Sequence, residues 1–147
     1  MIRAAATTEQ TPELAARLRQ AVTRLNRRLR STALGGVSPA QASALAMIDR
    51  LGSPGLGELA AAEQVRPPSM TRLVDALESL GLVQRRADEL DRRCQRVTLT
   101  TTGRRELAAI RVRKTAFLEQ RLAALSDADR AAVARALGIL ERLSEEQ

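Results

Sequence analysis

The chain has 147 residues, 44% of them hydrophobic and 28% charged, which suits one globular domain with a single core and excludes a disordered chain. Formal net charge is +7, and of 24 basic residues only Lys114 is a lysine, so the positive charge is almost wholly arginine, whose planar fork matches phosphates and guanine edges. With no histidine, one cysteine, no phosphate loop and no recognisable pair of catalytic carboxylates, neither an enzyme, a cofactor nor a metal is expected.

Residues 1–11 hold no long apolar run, and no stretch is long enough to span a bilayer, so a cytoplasmic protein without a membrane partner is expected. From Pro12 to about Leu34, apolar residues recur at Leu14, Leu18, Val22, Leu25 and Leu29, the three-and-four spacing of an amphipathic helix opened by Thr11 and Glu13. Between residues 14 and 34 it carries Arg17, Arg19, Arg24, Arg27, Arg28 and Arg30 and no acid, which reads as a solvated or partner-facing side. Gly35 and Gly36 end it. Ser38-Pro39 caps a second helix to about Leu51, with Ala42, Leu45, Ala46 and Ile48 as its apolar positions. GSPGLG lacks the Gly-Lys-Ser/Thr ending and the leading strand of a phosphate loop and reads as a turn. Leu56 is predicted to add a short strand and Gly57 to cap a third helix through Glu63, with Leu59 and Ala60 buried; Gln64-Val65-Arg66 turns into the next element.

A fourth helix starts at Pro67-Pro68 and carries Met70, Leu73, Val74 and Leu77 on its packing face, with Ser69, Thr71, Arg72 and Asp75 elsewhere around it. Gly81 stops it. Leu82-Val83 and Val97-Thr98-Leu99 are strand-prone, and the ADELD segment between them is too polar for a core, which predicts a hairpin. Cys94 in this hairpin reads as a small, partly buried packing residue rather than a redox sensor. After Thr101 a long helix runs to about Leu125 through Leu107, Ile110, Phe117, Leu118 and Leu122, and Ser126 with Asp129 opens a last helix carrying Val133, Leu137, Leu140 and Leu143. Leaving those leucines wet would cost roughly 1.5–3 kcal/mol each, so a second copy of the chain is expected to cover them.

Helix, turn, helix, hairpin is the order of a winged helix-turn-helix. Glu58-Leu59-Ala60, Met70-Thr71-Arg72-Leu73-Val74, Gly81-Leu82-Val83 with Arg85, and Asp91-Arg92-Arg93 followed by Leu99-Thr100 and Gly103 together resemble the DNA-binding region of MarR family transcriptional regulators. Three positions depart from that pattern: Gln64 stands where the family usually has glycine, Arg66 where a serine often caps the recognition helix, and Cys94 where alanine is common. The resemblance implies a mainly α fold, one domain over residues 1–147. Residues 38–100 would form the winged helix-turn-helix with its small β-hairpin, and residues 8–34 and 101–147 a helical dimerisation region. It further implies a homodimeric, sequence-specific double-stranded-DNA regulator, a repressor on a near-palindromic operator. Release by a small aromatic or anionic ligand, held where the dimer helices meet the winged domain, would follow too.

Base-edge reading falls to the start of the fourth helix, Pro68, Ser69, Thr71 and Arg72, where short polar groups and one arginine can approach a groove floor. Arg66 and Arg85 are expected on phosphates. In the wing, the resemblance implies that Arg92 or Arg93 reaches the minor groove while Asp91 braces the turn. Between residues 66 and 105, nine arginines face five acids, a clustering that a merely solvated surface does not explain. The rival reading is a helical protein-interaction module with nonspecific DNA binding, using the basic first helix.

Overall fold

The computed structural model describes residues 11–32 and 35–145. The expected helical stretches at 8–10, 33–34 and 146–147, including Leu34 as the end of the first helix, lie outside the described residues. In chain order the elements are α1 Thr11–Thr32, α2 Pro39–Leu51, α3 Leu56–Ala62, α4 Pro67–Ser79, β1 Val83–Ala87, β2 Gln95–Leu99, α5 Thr101–Ala123 and α6 Asp127–Ser144.

A single apolar cluster joins Leu45 and Ile48 of α2, Leu59 of α3, Met70, Val74 and Leu77 of α4, Val83, Val97 and Leu99 of the strands, and Leu107 and Ile110 of α5. The spacing of three and four along α4 puts its apolar side chains into this cluster and turns its first-turn polar residues to solvent. The strands pair antiparallel in the register Val83↔Leu99 to Ala87↔Gln95. Ala46, read as an apolar packing position of α2, is exposed.

Each helix start has a local cause. At α2, Gln41 N–H donates to Ser38 Oγ at 3.1 Å while Ser38 N–H donates to Gln41 Oε1 at 2.7 Å, closing a capping box. At α3, the Glu58 carboxylate takes Gly55 N–H at 2.8 Å, which makes Gly55 the cap and draws Leu56 into the helix. The predicted strand at Leu56 and cap at Gly57 are therefore displaced: an extended bridge forms at Gly55↔Arg96 instead. The α3–α4 turn holds Gln64 at φ 54, the left-handed region, so the departure from glycine at this position is accommodated as a strained backbone. Arg66 caps α4 without a side-chain bond. Pro67 and Pro68 have no N–H to satisfy, and Ser69 and Met70 donate to the Arg66 carbonyl at 3.0 and 3.1 Å, so little capping demand remains.

Outside the winged unit, α1 and α6 bury no residue. Val22 of α1 is 53% exposed and Leu137 of α6 51%. Among the described residues, no helix is long and apolar enough to cross a membrane.

Candidate nucleic-acid interface

The first turn of α4 presents Arg66, Pro68, Ser69, Thr71 and Arg72, all exposed, on the side away from Met70 and Val74. Thr71 Oγ1 donates to the Pro67 carbonyl at 3.1 Å, so its hydroxyl is oriented by its own helix and keeps acceptor capacity outward. Arg66 and Arg72 have no side-chain hydrogen bond or ion pair among the described residues.

The wing turn is built by two carboxylates. Asp88 Oδ1 accepts the N–H groups of Leu90 and Asp91 at 2.8 and 3.1 Å, while Asp91 Oδ1 accepts Arg93 N–H at 3.0 Å. Backbone bonds from Asp88 N–H to the Cys94 carbonyl and from Cys94 N–H to the Asp91 carbonyl, both 2.9 Å, close the loop. Arg92 and Arg93 project from it exposed, with no side-chain partner among the described residues. Asp88 is the organiser that the sequence reading passed over. Its carboxyl is held down to about 2, first by the hydrogen bond from Arg96 and then by the N–H groups of Asp91 and Leu90. An Asp three residues before another Asp in a polar turn was the available signal.

Two expectations are corrected here. Arg85, expected on a phosphate, is turned against α4, its side chain only 17% exposed, with Nη2 2.5 Å from Asp75 Oδ1 and Nη1 2.5 Å from Glu78 Oε2. Asp75 and Glu78 sit three residues apart on one face of α4, and both reach Arg85, so the guanidinium braces β1 to α4 instead of facing outward. Burial opposes its charge, but the bonds to Asp75 and Glu78 outweigh that and raise its pKa. Cys94, expected as partly buried packing, is exposed, because it closes the open end of the hairpin where no element lies over it. The neighbouring Arg86, which the sequence did not single out, is exposed and unpaired among the described residues.

Residues 37–95 match the pattern of the MarR family. A helix-turn-helix transcriptional regulator of Mycobacterium tuberculosis is 36% identical over 134 residues, covering 90% of this chain and 94% of the relative. The chain belongs to the MarR family. A proposed transcriptional regulator from Pseudomonas aeruginosa, solved as a crystal structure, is similar throughout: 38% identity, a TM-score of 0.83, and coverage of 95% of this chain and 99% of that one. The Bacillus subtilis transcriptional repressor MdtR is 30% identical over 92 residues, covering 63% of this chain and 59% of MdtR. As a MarR family protein this chain is a DNA-binding transcriptional regulator, and the match spans α2 to the start of β2, the elements that carry the exposed arginines of α4 and the wing.

Proposed function

We propose that this MarR family regulator is a repressor that binds a near-palindromic operator as a homodimer, each protomer placing α4 in a major groove and its wing over the adjacent minor groove. The observation that carries the reading is the contrast among neighbouring arginines. Arg85 is consumed by two acids of α4, whereas Arg66 and Arg72 at the start of α4 and Arg92 and Arg93 in the wing turn remain exposed and unpaired among the described residues. Pro68, Ser69, Thr71 and Arg72 read base edges, Arg66 positions a phosphate, and Arg92 and Arg93 hold the wing to the duplex, with Asp91 bracing the turn that aims them. The repressor assignment draws on the likeness to MdtR. Two α4 helices about 34–36 Å apart across a two-fold axis would meet successive grooves on one face of the duplex.

Salt titrations separate these roles. Arg93→Ala is expected to weaken binding to selected and scrambled duplexes alike and to lower the slope of log K against log salt by about 0.9. Ser69→Ala or Arg72→Ala should cost about 1–3 kcal/mol on the selected sequence and much less on the scrambled one. Unchanged binding by Arg93→Ala would remove the wing from the interface.

Release by a small anion is supported by a cleft of about 230 Å³ between α1, α2 and α5, lined by Asn26, Arg30, Pro39, Ala42, Ser43, Ala46 and Lys114. It lies at the junction where the dimer helices meet the winged unit, and Arg30 and Lys114 give it two cations, with no aromatic ring to stack a phenol. A ligand there acts by favouring one spacing of the α4 helices over another. Thermal-shift titration with aliphatic and aromatic carboxylic acids is expected to raise Tm for an acid that also releases DNA; no shift with any acid would leave DNA binding constitutive.

A further inference from the structure

A wing contributes to DNA binding only if its arginines arrive at the duplex at the same time as α4, so its angle to the helices matters as much as its charge. Arg85 ties β1 to α4, and a second side chain, on the other strand, ties the wing to α3. Arg96 of β2 donates from Nε to Asp88 Oδ2 at 2.5 Å and from Nη1 to Glu58 Oε2 at 2.8 Å, with the Ser53 carbonyl 3.4 Å from the same nitrogen. Both carboxylates already organise backbone. Asp88 holds the Leu90 and Asp91 N–H groups of the wing turn, and Glu58 Oε2 caps α3 through Gly55 N–H at 2.8 Å. One guanidinium thus joins the group that shapes the wing to the group that starts α3, across 38 residues of sequence. Main-chain contacts at the same place, the Gly55↔Arg96 bridge and Val97 N–H to the Pro54 carbonyl at 2.9 Å, seat β2 on the α2–α3 turn.

Asp88 is the well-covered member, its side chain 14% exposed, while Arg96 is 40% and Glu58 64% exposed. Solvated pairs of this kind contribute little to global stability. What they do supply is direction, because a planar fork bound at two of its nitrogens cannot swing as a lysine ammonium would. Sequence reading passes over Arg96 as one more arginine in a basic hairpin.

The geometry points to Arg96 as a positioning residue for DNA binding: it holds the wing against α3 so that Arg92 and Arg93 reach the duplex pre-aligned, and makes no phosphate contact itself. This rests on the reading that the wing grips DNA. Preorganisation adds affinity by removing the entropy of ordering the wing on binding, and it leaves the number of displaced counterions unchanged.

The test uses the full chain and a labelled mixed-sequence duplex at several salt concentrations, so that no operator need be known. Arg96→Ala is expected to weaken binding about fivefold with an unchanged salt slope, and to speed hydrogen exchange at the Leu90 and Asp91 amides. Arg96→Lys should recover part of the loss by reaching one carboxylate. Glu58→Gln should weaken binding in the native chain and add nothing in the Arg96→Ala background, the non-additivity of groups acting as one unit. A slope lowered by about 0.9 in Arg96→Ala would make Arg96 a phosphate contact and overturn the proposal, as would additive effects of Arg96→Ala and Glu58→Gln. If Arg93→Ala weakens binding while Arg96→Ala does not, the positioning role alone fails. If Arg93→Ala is itself silent, the wing reading fails and the proposal with it.

Discussion

Gly103→Ala is expected to lower the stability of the folded chain by about 3 kcal/mol, the upper end for overpacking a site that cannot relax, and Tm by roughly 10 °C. A Cβ built on Gly103 would lie 1.9 Å from the Leu82 carbonyl oxygen and 2.8 Å from its carbon, so the obstacle is backbone and no rotamer change relieves it. The close approach exists because the start of α5 is locked onto the corner between α4 and β1. Thr100 N–H donates to the Leu82 carbonyl at 3.1 Å, Thr100 Oγ1 donates to the Gly81 carbonyl at 2.6 Å, and the same hydroxyl accepts Gly103 N–H at 3.0 Å. Moving α5 away to admit a methyl group would break this knot, and with it the seating of Leu107 and Ile110 in the core. Gly57→Ala is the matched control. Nothing lies within 4 Å of its Cβ direction and it is inside α3, so alanine there should stabilise by about 0.5–1 kcal/mol. Thermal unfolding followed by circular dichroism measures both, and equal Tm values for the two variants would contradict the packing described.

Replacing Leu137 and Leu140 together by aspartate should convert the proposed dimer to monomer and reduce affinity for a two-half-site duplex by about 100-fold or more. The reasoning begins with α6, which buries no residue although Leu137, Ile139, Leu140 and Leu143 are 51, 52, 39 and 68% exposed. On α1, Leu14, Val22 and Leu25 are similarly open, at 53, 53 and 45%. Exposed apolar stripes on two helices of one chain are what a second copy would cover. Carboxylates at its centre would have to be desolvated on association, which outweighs the remaining contacts. The winged core includes no residue of α6, so far-UV circular dichroism should still report folded helices. A double variant that remains dimeric by sedimentation at micromolar concentration would place the interface elsewhere.

Much of this fold is legible in the sequence because its signals are local. Apolar residues at three and four along α2 and α4, the Ser38 and Ser126 caps, and Gly81 with φ 69 all act within a turn of chain. The exposed face of α4 is legible for the same reason: a helix with one packed face leaves the other side determined. What escaped depends on register and on contacts between distant segments. Arg85 could be assigned to α4 only once β1 was placed beside Asp75 and Glu78, and Arg96 only once β2 lay against the start of α3. The displaced α3 cap is different, a local signal passed over: Glu58 at the third helical position selects Gly55 over Gly57. Cys94 was misread because its residue type favours burial, whereas its place in the wing turn leaves nothing to bury it. In a basic motif, the count of arginines therefore overstates the interface until those spent on internal acids are removed.

The central claim is that α4 and the wing of two protomers read one symmetric duplex site. Selection of bound duplexes from a random pool, at near-physiological salt and with excess nonspecific competitor, tests it most directly. The account predicts enrichment of a near-palindrome whose half-sites are about one helical turn apart, and loss of that preference in Arg72→Ala. Recovery of no common sequence, or of a single unpaired half-site, would contradict it.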